Sequence, residues 1–477
     1  MRLPLLEHPE TLTTTLTFMT EQTDTICAIS TPPGIGGIAI ARISGPKAIE
    51  ITQKLWKGKS LDKATSHTAH FGTILTTDGC ELDQALVTLF KAPHSFTGDD
   101  VVEISVHGSK FVQRELLNQL IKAGCRMALP GEYTRRAFIS GKMDLAEAEA
   151  VADVIASNSR AAHRIAISQM RGDYSKKLTL LREKIIELAS LLELELDFSE
   201  EDVEFASRQK LREIASEIHS EVTRLYKSFS SGTAIKDGIP VAIVGHTNAG
   251  KSSLLNAILS DDRAIVSDIH GTTRDTIEET IELGDYLFRF IDTAGLRQTA
   301  DEIELQGINR SYNAISKARI IILVVDPTST ETPPIASIQK AMEQSGDTTP
   351  AHLITAINKA DICNKAATEA DGDNTVVISA KTGHGLEQLK EKLIEIANLE
   401  NGNADEGLLV TNARHAEALR QAQNTTSRIL DSLDQGLTGD LIALDLRETI
   451  HHLSSITGDI TTTAILSTIF SRFCIGK

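Results

Sequence analysis

One nine-residue stretch, "GHTNAGKSS", restricts the fold of this chain more than any other feature. It matches the pattern G-x-x-x-x-G-K-[ST] through Gly245, Gly250, Lys251 and Ser252. In such a loop the glycines let backbone N–H groups surround a phosphate, the lysine reaches the β and γ oxygens, and the hydroxyl binds Mg²⁺. A strand-like apolar run precedes the stretch and a helical run follows it, so we expect a phosphate-binding loop between a buried strand and a helix.

Strand and helix patterns divide the chain into several regions. The runs "IPVAIVG", "RIIILVVD", "AHLITAINK" and "NTVVISA" alternate with helices, which predicts a doubly wound parallel sheet of the Ras-like P-loop type. Helical sequence lies on both sides of it, so this α/β domain is predicted to be inserted into a helical bundle. The predicted organisation is a disordered tail or misassigned start at 1–22, a mixed α/β domain at 23–140, a first helical part at 141–235, the inserted domain at 236–400 and a second helical part at 401–477.

Composition excludes several classes of protein. The chain carries 65 acidic and 48 basic residues, a net charge of −17, which disfavours sequence-independent adhesion to nucleic acid. No segment approaches the ~20 consecutive apolar residues that span a bilayer. The five cysteines form no C-x-x-C pair, so we expect free thiols in a reducing cytoplasm.

Three further motifs follow in the order that a GTPase requires. "DTAG" places Asp292 near the Mg²⁺ shell and Gly295 on the γ-phosphate. In "NKAD", the carboxylate of Asp361 can accept two hydrogen bonds from guanine, which adenine cannot donate, and "SAK" completes the base pocket. The predicted GTP-binding residues are Asn248, Ala249, Gly250, Lys251, Ser252, Ser253, Ser267, Asp268, Ile269, Gly271, Thr272, Thr273, Asp292, Thr293, Ala294, Gly295, Asn358, Lys359, Asp361, Ser379, Ala380 and Lys381.

The residue after D-x-x-G raises the question of how GTP would be hydrolysed. Ras-like enzymes orient the attacking water with a glutamine there, but this chain has Leu296, and an aliphatic side chain cannot orient water. Arg297 can equally be a solvated loop residue. Asn248 and the segment "GTTRD" suggest that a monovalent cation, K⁺, neutralises the developing charge instead.

The chain ends in "FCIGK". A cysteine four residues from the end resembles a prenylation signal, but the final lysine argues against one. The alternative is a free-thiol arm that brings Cys474 and Lys477 to a reaction site. Whether Cys474 is a nucleophile, a redox thiol or a packing residue stays open, because reactivity requires a depressed pKa.

The sequence resembles the MnmE (TrmE) family of tRNA modification GTPases, which belongs to the TrmE-Era-EngA-like GTPases. The resemblance covers Thr25 to Lys477. It depends on "TPPGIGGIAIARISG", "FTGDDVVEISVHG", "PGEYTRRAFISGKMDLAEAEAVADVI", "GHTNAGKSSLLNAI", "GTTRD", "DTAGLR" and "FCIGK".

The resemblance implies specific residues for the GTPase reaction. It implies that Glu304 orients or polarises water when two G domains meet. Cys474 is a second candidate catalytic residue, which the arm would bring to the one-carbon site and not to the GTPase site. The implied metal ligands are Ser252 and Thr273 for Mg²⁺, and Asn248, Ser267, Ile269 and Thr272 for K⁺.

The resemblance also implies that residues 23–140 bind 5-formyltetrahydrofolate or a related tetrahydrofolate and dimerise. The implied site consists of Arg42, Glu103, Lys142 and Lys477. A carboxylate can pair with the donors of a pterin, and cations can meet the folate glutamate. Composition alone favours a surface salt bridge for Arg42 and Glu103. Ile35 stands where many relatives carry arginine.

The resemblance therefore predicts a cytoplasmic homodimer that modifies C5 of the tRNA wobble uridine. Its predicted partner is a flavin-dependent, MnmG (GidA)-like protein that carries FAD, joins it in a heterotetramer and grips the tRNA. Two alternatives remain: a ribosome-assembly GTPase of the Era or Der type, and a folate-sensing GTPase scaffold without chemistry of its own.

Overall fold

Two β-sheets and a set of long helices make up the described part of the protein. The computed structural model describes residues 24–197, 208–261, 278–291, 314–329, 335–344, 351–362, 372–401, 408–471 and 473–476. These residues form two compact units. The first unit holds the described residues of 1–152, 169–179 and 453–477, and the second holds those of 153–168 and 180–452.

The first unit contains a seven-stranded sheet in the order β3-β4-β5-β6-β2-β1-β7. Its strands are β1 (Ile26–Ile29), β2 (Gly36–Ser44), β3 (Trp56–Lys57), β4 (Thr68–Leu75), β5 (Glu81–Phe90), β6 (Val101–Gly108) and β7 (Arg126–Met127). In β5 the residues Ala85, Val87 and Leu89 are buried while the intervening side chains point away, the period of two expected of a half-buried strand. Helices α1 (Ala48–Lys54) and α2 (Lys110–Lys122) contribute to the core on the buried face, which confirms the predicted mixed α/β fold.

The second unit contains a six-stranded sheet in the order β13-β12-β11-β8-β10-β9. Its strands are β8 (Ile239–Val244), β9 (Glu279–Leu283), β10 (Tyr286–Phe290), β11 (Ile320–Val325), β12 (His352–Ile357) and β13 (Thr375–Val377). Neighbouring strands are parallel, except that β9 runs antiparallel to β10.

Helices cover both faces of this second sheet. Strand β11 shows why: Ile320 and Ile322 belong to one apolar cluster, and Ile321 and Leu323 belong to another. A strand that is buried on both faces needs helices on both sides. These are α8 (Lys251–Asp261) and α10 (Leu386–Asn401) on one side and α9 (Ile335–Gln344) on the other. The predicted doubly wound sheet is confirmed.

The remaining helices of the described chain range from 8 to 30 residues in length. They are α3 (Glu132–Ile139), α4 (Leu145–Ala156), α5 (Arg160–Met170), α6 (Asp173–Asp197), α7 (Arg208–Asp237), α11 (Ala413–Asp434), α12 (Gly439–Thr457) and α13 (Thr463–Phe470). Helices α7 and α11 flank the second sheet in sequence but pack together, with His219 Nδ1 2.9 Å from Thr426 Oγ1. The P-loop domain is therefore inserted between helices that contact each other. None of the described helices combines the length and apolarity needed to cross a membrane.

Candidate functional sites

The predicted phosphate-binding loop joins β8 to α8. Gly245 has φ +148°, and a Cβ there would lie 2.3 Å from the Val324 carbonyl oxygen; Gly250 has φ +98°, and a Cβ there would lie 2.2 Å from Asn358 Nδ2. Asn248 also has a positive φ, +62°. Both glycines are therefore required by backbone conformation and by close neighbours.

Lys251 lies against this loop. Its Nζ donates to the carbonyl oxygens of Gly245 and His246, both at 2.8 Å, and burial lowers the pKa of Lys251. Loss of solvent disfavours the charged ammonium, and an anion nearby would favour it again. Ser252 and Ser253 are exposed on the first turn of α8, where helix N–H groups favour a phosphate.

Asn358, at the end of β12, ties the predicted base site to this loop. The side chain is 3% exposed; its Nδ2 donates to the Ala249 carbonyl at 2.9 Å, and its Oδ1 accepts from the Ala380 N–H at 3.0 Å. Beside it, the Ser379 hydroxyl donates to Asp361 Oδ1 at 2.7 Å. This hydrogen bond lowers the pKa of Asp361, so the carboxylate is available as an acceptor for guanine.

Lys359 is placed by a residue that the sequence analysis missed. Its Nζ lies 2.5 Å from Asp326 Oδ2, and its φ is +64°. Burial raises the pKa of Asp326, but the hydrogen bonds from Lys359 and from the hydroxyl and N–H of Thr328 together outweigh burial and keep the pKa below its ordinary value. The position of Asp326 directly after β11 was the available signal. Lys381 follows as an exposed side chain.

Several predicted site residues lie outside the described residues. The structure therefore leaves the predicted catalytic acid, most K⁺ and Mg²⁺ ligands and the terminal lysine as predictions. They are Ser267, Asp268, Ile269, Gly271, Thr272, Thr273, Asp292, Thr293, Ala294, Gly295, Glu304 and Lys477.

The first unit contains the second candidate site. Arg42 and Glu103 are direct partners on β2 and β6, and Arg42 Nε and Nη2 lie 3.0 and 2.8 Å from Glu103 Oε1. The guanidinium lies 5.9 and 5.7 Å from the ring centroids of Phe96 and Tyr133, and the Tyr133 hydroxyl donates to the Arg42 carbonyl at 2.7 Å. The side chains are 23% and 24% exposed, so this pair is more enclosed than an ordinary surface salt bridge.

The carboxyl-terminal arm, defined here as Phe473–Gly476, lies against this pair. The Gly476 carbonyl accepts from Ser30 Oγ at 3.1 Å and from Arg42 Nη1 at 3.4 Å. The Cys474 thiol is exposed. The family resemblance predicts that the arm reaches the site of Arg42 and Glu103, but Ser30 carries no recognisable signal in the sequence.

Lys142 lies beside the loop that carries Phe96. A Cβ built on Gly98 would lie 3.5 Å from Lys142 Cε, and Lys142 itself is exposed. The structure thus places Arg42, Glu103, Cys474 and Lys142 in one unit. The aromatic residues around Arg42 occur in two segments quoted above, "FTGDD" and "PGEYTRRAF", although the sequence assigned them no role.

The fold and the first site define the class of this protein: a P-loop on a mainly parallel sheet, with Asn358 and Asp361 beside it, is the arrangement of a GTP-binding P-loop protein. Two family models match the chain, described as "GTP-binding protein TrmE N-terminus" over residues 25–142 and "MnmE helical domain" over residues 145–474.

Similar proteins extend along nearly the whole chain. Proteins named "tRNA modification GTPase MnmE" are 48% identical in Parabacteroides distasonis, covering 95% of this chain and 100% of the relative, and 46% identical in Cytophaga hutchinsonii, covering 97% and 99%. A solved G domain of the T. maritima FeoB iron transporter is 28% identical, covers 33% of this chain and 98% of that chain, and has a TM-score of 0.24. The chain belongs to the MnmE family of tRNA modification GTPases, as the motifs predicted.

Proposed function

We propose that this chain is a K⁺-dependent GTPase that works with a flavin-dependent, MnmG-like partner on tRNA. Together they add a carboxymethylaminomethyl or aminomethyl group to C5 of the wobble uridine, using the one-carbon unit of a tetrahydrofolate. The relatives are named tRNA modification GTPases, which supports tRNA as the substrate. Because this chain has a net charge of −17, we propose that a basic partner makes most of the contacts with tRNA.

The observation that carries the proposal is the second site. A GTPase that serves only as a switch needs only the nucleotide site. This chain also has an arginine–glutamate pair whose guanidinium lies near the rings of Phe96 and Tyr133, and an exposed thiol on the adjoining arm. The exposed ring of Phe96, a carboxylate and cations are groups that would bind an anionic pterin derivative. When bound, the tetrahydrofolate would supply the one-carbon unit.

The nucleotide site supports the GTPase part. Lys251, desolvated and close to the loop carbonyls, would hold the β and γ oxygens, while the Ser252 hydroxyl would bind Mg²⁺. The Asn248 side chain is exposed beside the loop, and its amide oxygen is a ligand that suits K⁺. The bound K⁺ would offset charge that develops during phosphoryl transfer, and we propose that Glu304 orients the attacking water. GTP hydrolysis would then drive opening and closing of the paired G domains.

The outer face of the first sheet supports a homodimer. Phe71 on β4 and Leu86 on β5 are direct register partners, and they are 69% and 43% exposed. Ile38 at the start of β2 is exposed as well. An exposed apolar face of this kind is typical of an interaction surface.

The test is mass analysis of tRNA nucleosides from cells that lack the gene. We expect the modified wobble uridine to disappear, to return with the unaltered gene, and to stay absent with Lys251→Ala. An unchanged nucleoside profile in the deletion strain would overturn the proposal. Co-sedimentation with ribosomal subunits in low salt would then favour the ribosome-assembly alternative, and folate binding with unchanged tRNA would favour the scaffold.

A further inference from the structure

We propose that Ser30 and Gly476 form a latch that fixes the carboxyl-terminal arm on the Arg42–Glu103 site. Both act as positioning residues, and the inference rests on the proposed function only in giving the arm a role in the one-carbon reaction.

The arm is held at two points, two residues apart. The Gly476 carbonyl accepts from Ser30 Oγ and Arg42 Nη1, at 3.1 and 3.4 Å. The Gly131 N–H lies 3.4 Å from the Cys474 carbonyl oxygen. Because both contacts use backbone oxygens of the arm, the thiol of Cys474 stays exposed between them.

Glycine is the one residue type that fits at position 476. It has φ +96°, and a Cβ there would lie 2.4 Å from the Ile29 carbonyl oxygen and 3.0 Å from Ser30 Cα. The first distance is too short for any real Cβ contact with backbone, and the left-handed conformation disfavours other residues independently. The glycine of "CIGK" is therefore explained by close approach to the end of β1.

Packing fixes the start of the arm. The rings of Phe470 and Phe473 have centroids 5.4 Å apart, and Gly131 at φ +66° lets α3 approach them, since a Cβ there would lie 2.6 Å from the Phe470 carbonyl oxygen. An arm that is fixed at both ends holds Cys474 at a defined place, two residues before the glycine that contacts Arg42.

The latch also changes the role expected of Arg42. Its Nε and Nη2 contact Glu103, and its Nη1 contacts the arm. The guanidinium therefore couples the arm to Glu103. Displacement of the arm would remove one hydrogen-bond acceptor from Arg42.

Digestion of the full-length protein by a carboxypeptidase tests the latch without nucleotide, folate or tRNA. Intact-mass spectrometry measures how fast digestion removes Gly476 and then the residues before it. The digestion rate of each protein is divided by the rate for a synthetic peptide that has the same last ten residues. The ratio measures protection of the arm independently of the preference of the protease for each sequence.

We expect Ser30→Ala to reduce protection roughly two- to tenfold, the effect of one hydrogen bond. Gly476→Ala should reduce it on the order of tenfold or more, because backbone strain adds to the clash. Ser30→Thr retains the hydroxyl and should keep most of the protection. The matched controls are Ser60→Ala and Gly37→Ala, at exposed positions of the same unit. Both should leave the protection of the arm unchanged.

Unchanged protection in both Ser30→Ala and Gly476→Ala would overturn the latch, as would equal losses in the two controls. Loss of protection in Ser30→Thr equal to that in Ser30→Ala would overturn the role of the hydroxyl. If protection falls in both latch variants while cellular tRNA nucleosides stay normal, the latch stands and the role of the arm in the proposed function fails.

Discussion

At the scale of single residues, Asn358 and Asp361 have different roles in the base site. Asn358 is buried and joins the P-loop to the segment that carries Ser379 and Ala380. Asp361 is oriented by Ser379 but remains exposed. One residue therefore stabilises the site, and the other is available to select the base.

We predict that Asp361→Asn changes the preferred nucleotide. The amide keeps an oxygen for the Ser379 hydroxyl, but its NH₂ group faces donors of guanine where the carboxylate accepted from them. GTP affinity should fall at least about tenfold, because a hydrogen bond to a charged group contributes roughly 1.5–3 kcal/mol. Xanthosine triphosphate, which carries a carbonyl in place of the guanine amine, should bind more tightly than GTP.

Equilibrium titration with fluorescent analogues of both nucleotides measures this change. Asp373→Asn, at an exposed aspartate of the same unit, serves as the matched control. If Asp361→Asn retained the GTP preference of the unaltered protein, the carboxylate would not be the base-selecting group.

At the scale of elements, an ion-pair network joins α3 to the residues next to β1 and β7. Glu132 is 2% exposed and contacts Arg126 and Arg136, at 2.7 and 3.0 Å, and both arginines also contact Asp24. Burial raises the pKa values of Asp24 and Glu132. The arginines outweigh burial at Asp24, and the arginines together with the Leu129 N–H outweigh it at Glu132, so both pKa values lie below the ordinary 3.8 and 4.5.

This network predicts a loss of stability in acid. Because the folded-state pKa values lie below the unfolded ones, the network contributes fully above about pH 4.5, and its contribution is lost as pH falls through the folded-state values. We expect Glu132→Gln to lower the free energy of unfolding by about 3 kcal/mol at pH 7, since it removes the buried carboxylate that pairs with the buried Arg136 and leaves Asp24 to pair with both arginines. The difference from the unaltered protein should shrink below pH 4.5.

Urea unfolding followed by tryptophan fluorescence measures this effect, because Trp56 is the single tryptophan of the chain and is buried in the same unit. Asp62→Asn, at an exposed position, is the control. A constant difference between Glu132→Gln and the unaltered protein from pH 7 to pH 3 would contradict the assignment.

The outer face of the first sheet gives a second prediction at this scale. Phe71→Asp places a charge in the apolar pair with Leu86, and burying an unpaired charge in an interface is costly. If the proposed homodimer uses this face, its dissociation constant should rise roughly tenfold or more in sedimentation velocity. Leu399→Asp, at an exposed leucine of α10, should leave association unchanged; equal constants for all three proteins would place the dimer interface elsewhere.

At the scale of the whole molecule, GTP turnover should depend on the alkali cation. Replacing K⁺ by Na⁺ should slow steady-state phosphate release roughly tenfold or more, because a preorganised positive charge is a large part of catalysis. In Asn248→Ala, the rates of phosphate release in K⁺ and in Na⁺ should become nearly equal. Glu304→Ala should bind GTP with normal affinity but hydrolyse it slowly. Equal turnover in both salts would remove the cation from the mechanism.

Local sequence was sufficient to predict a mixed α/β first domain, the parallel strands β8, β11, β12 and β13 of the second sheet, and the nucleotide loop. Strand β5 is buried on one face, so its buried residues alternate with more exposed ones, whereas β11 is buried on both faces and is apolar throughout. Gly245, Gly250 and Lys251 lie within seven residues, so the spacing of the motif predicts their geometry. The family followed from motifs of the same local kind.

Only the tertiary structure joined residues that lie far apart in the chain. The bond from Ser30 to Gly476 spans 446 positions and that from Asn358 to Ala249 spans 109. A single serine such as Ser30 carries no local pattern, because its partner is set by sheet order and by the path of the chain end. The sequence by itself therefore determined the elements and the chemistry of the phosphate loop, whereas long-range packing decided which side chains complete each site.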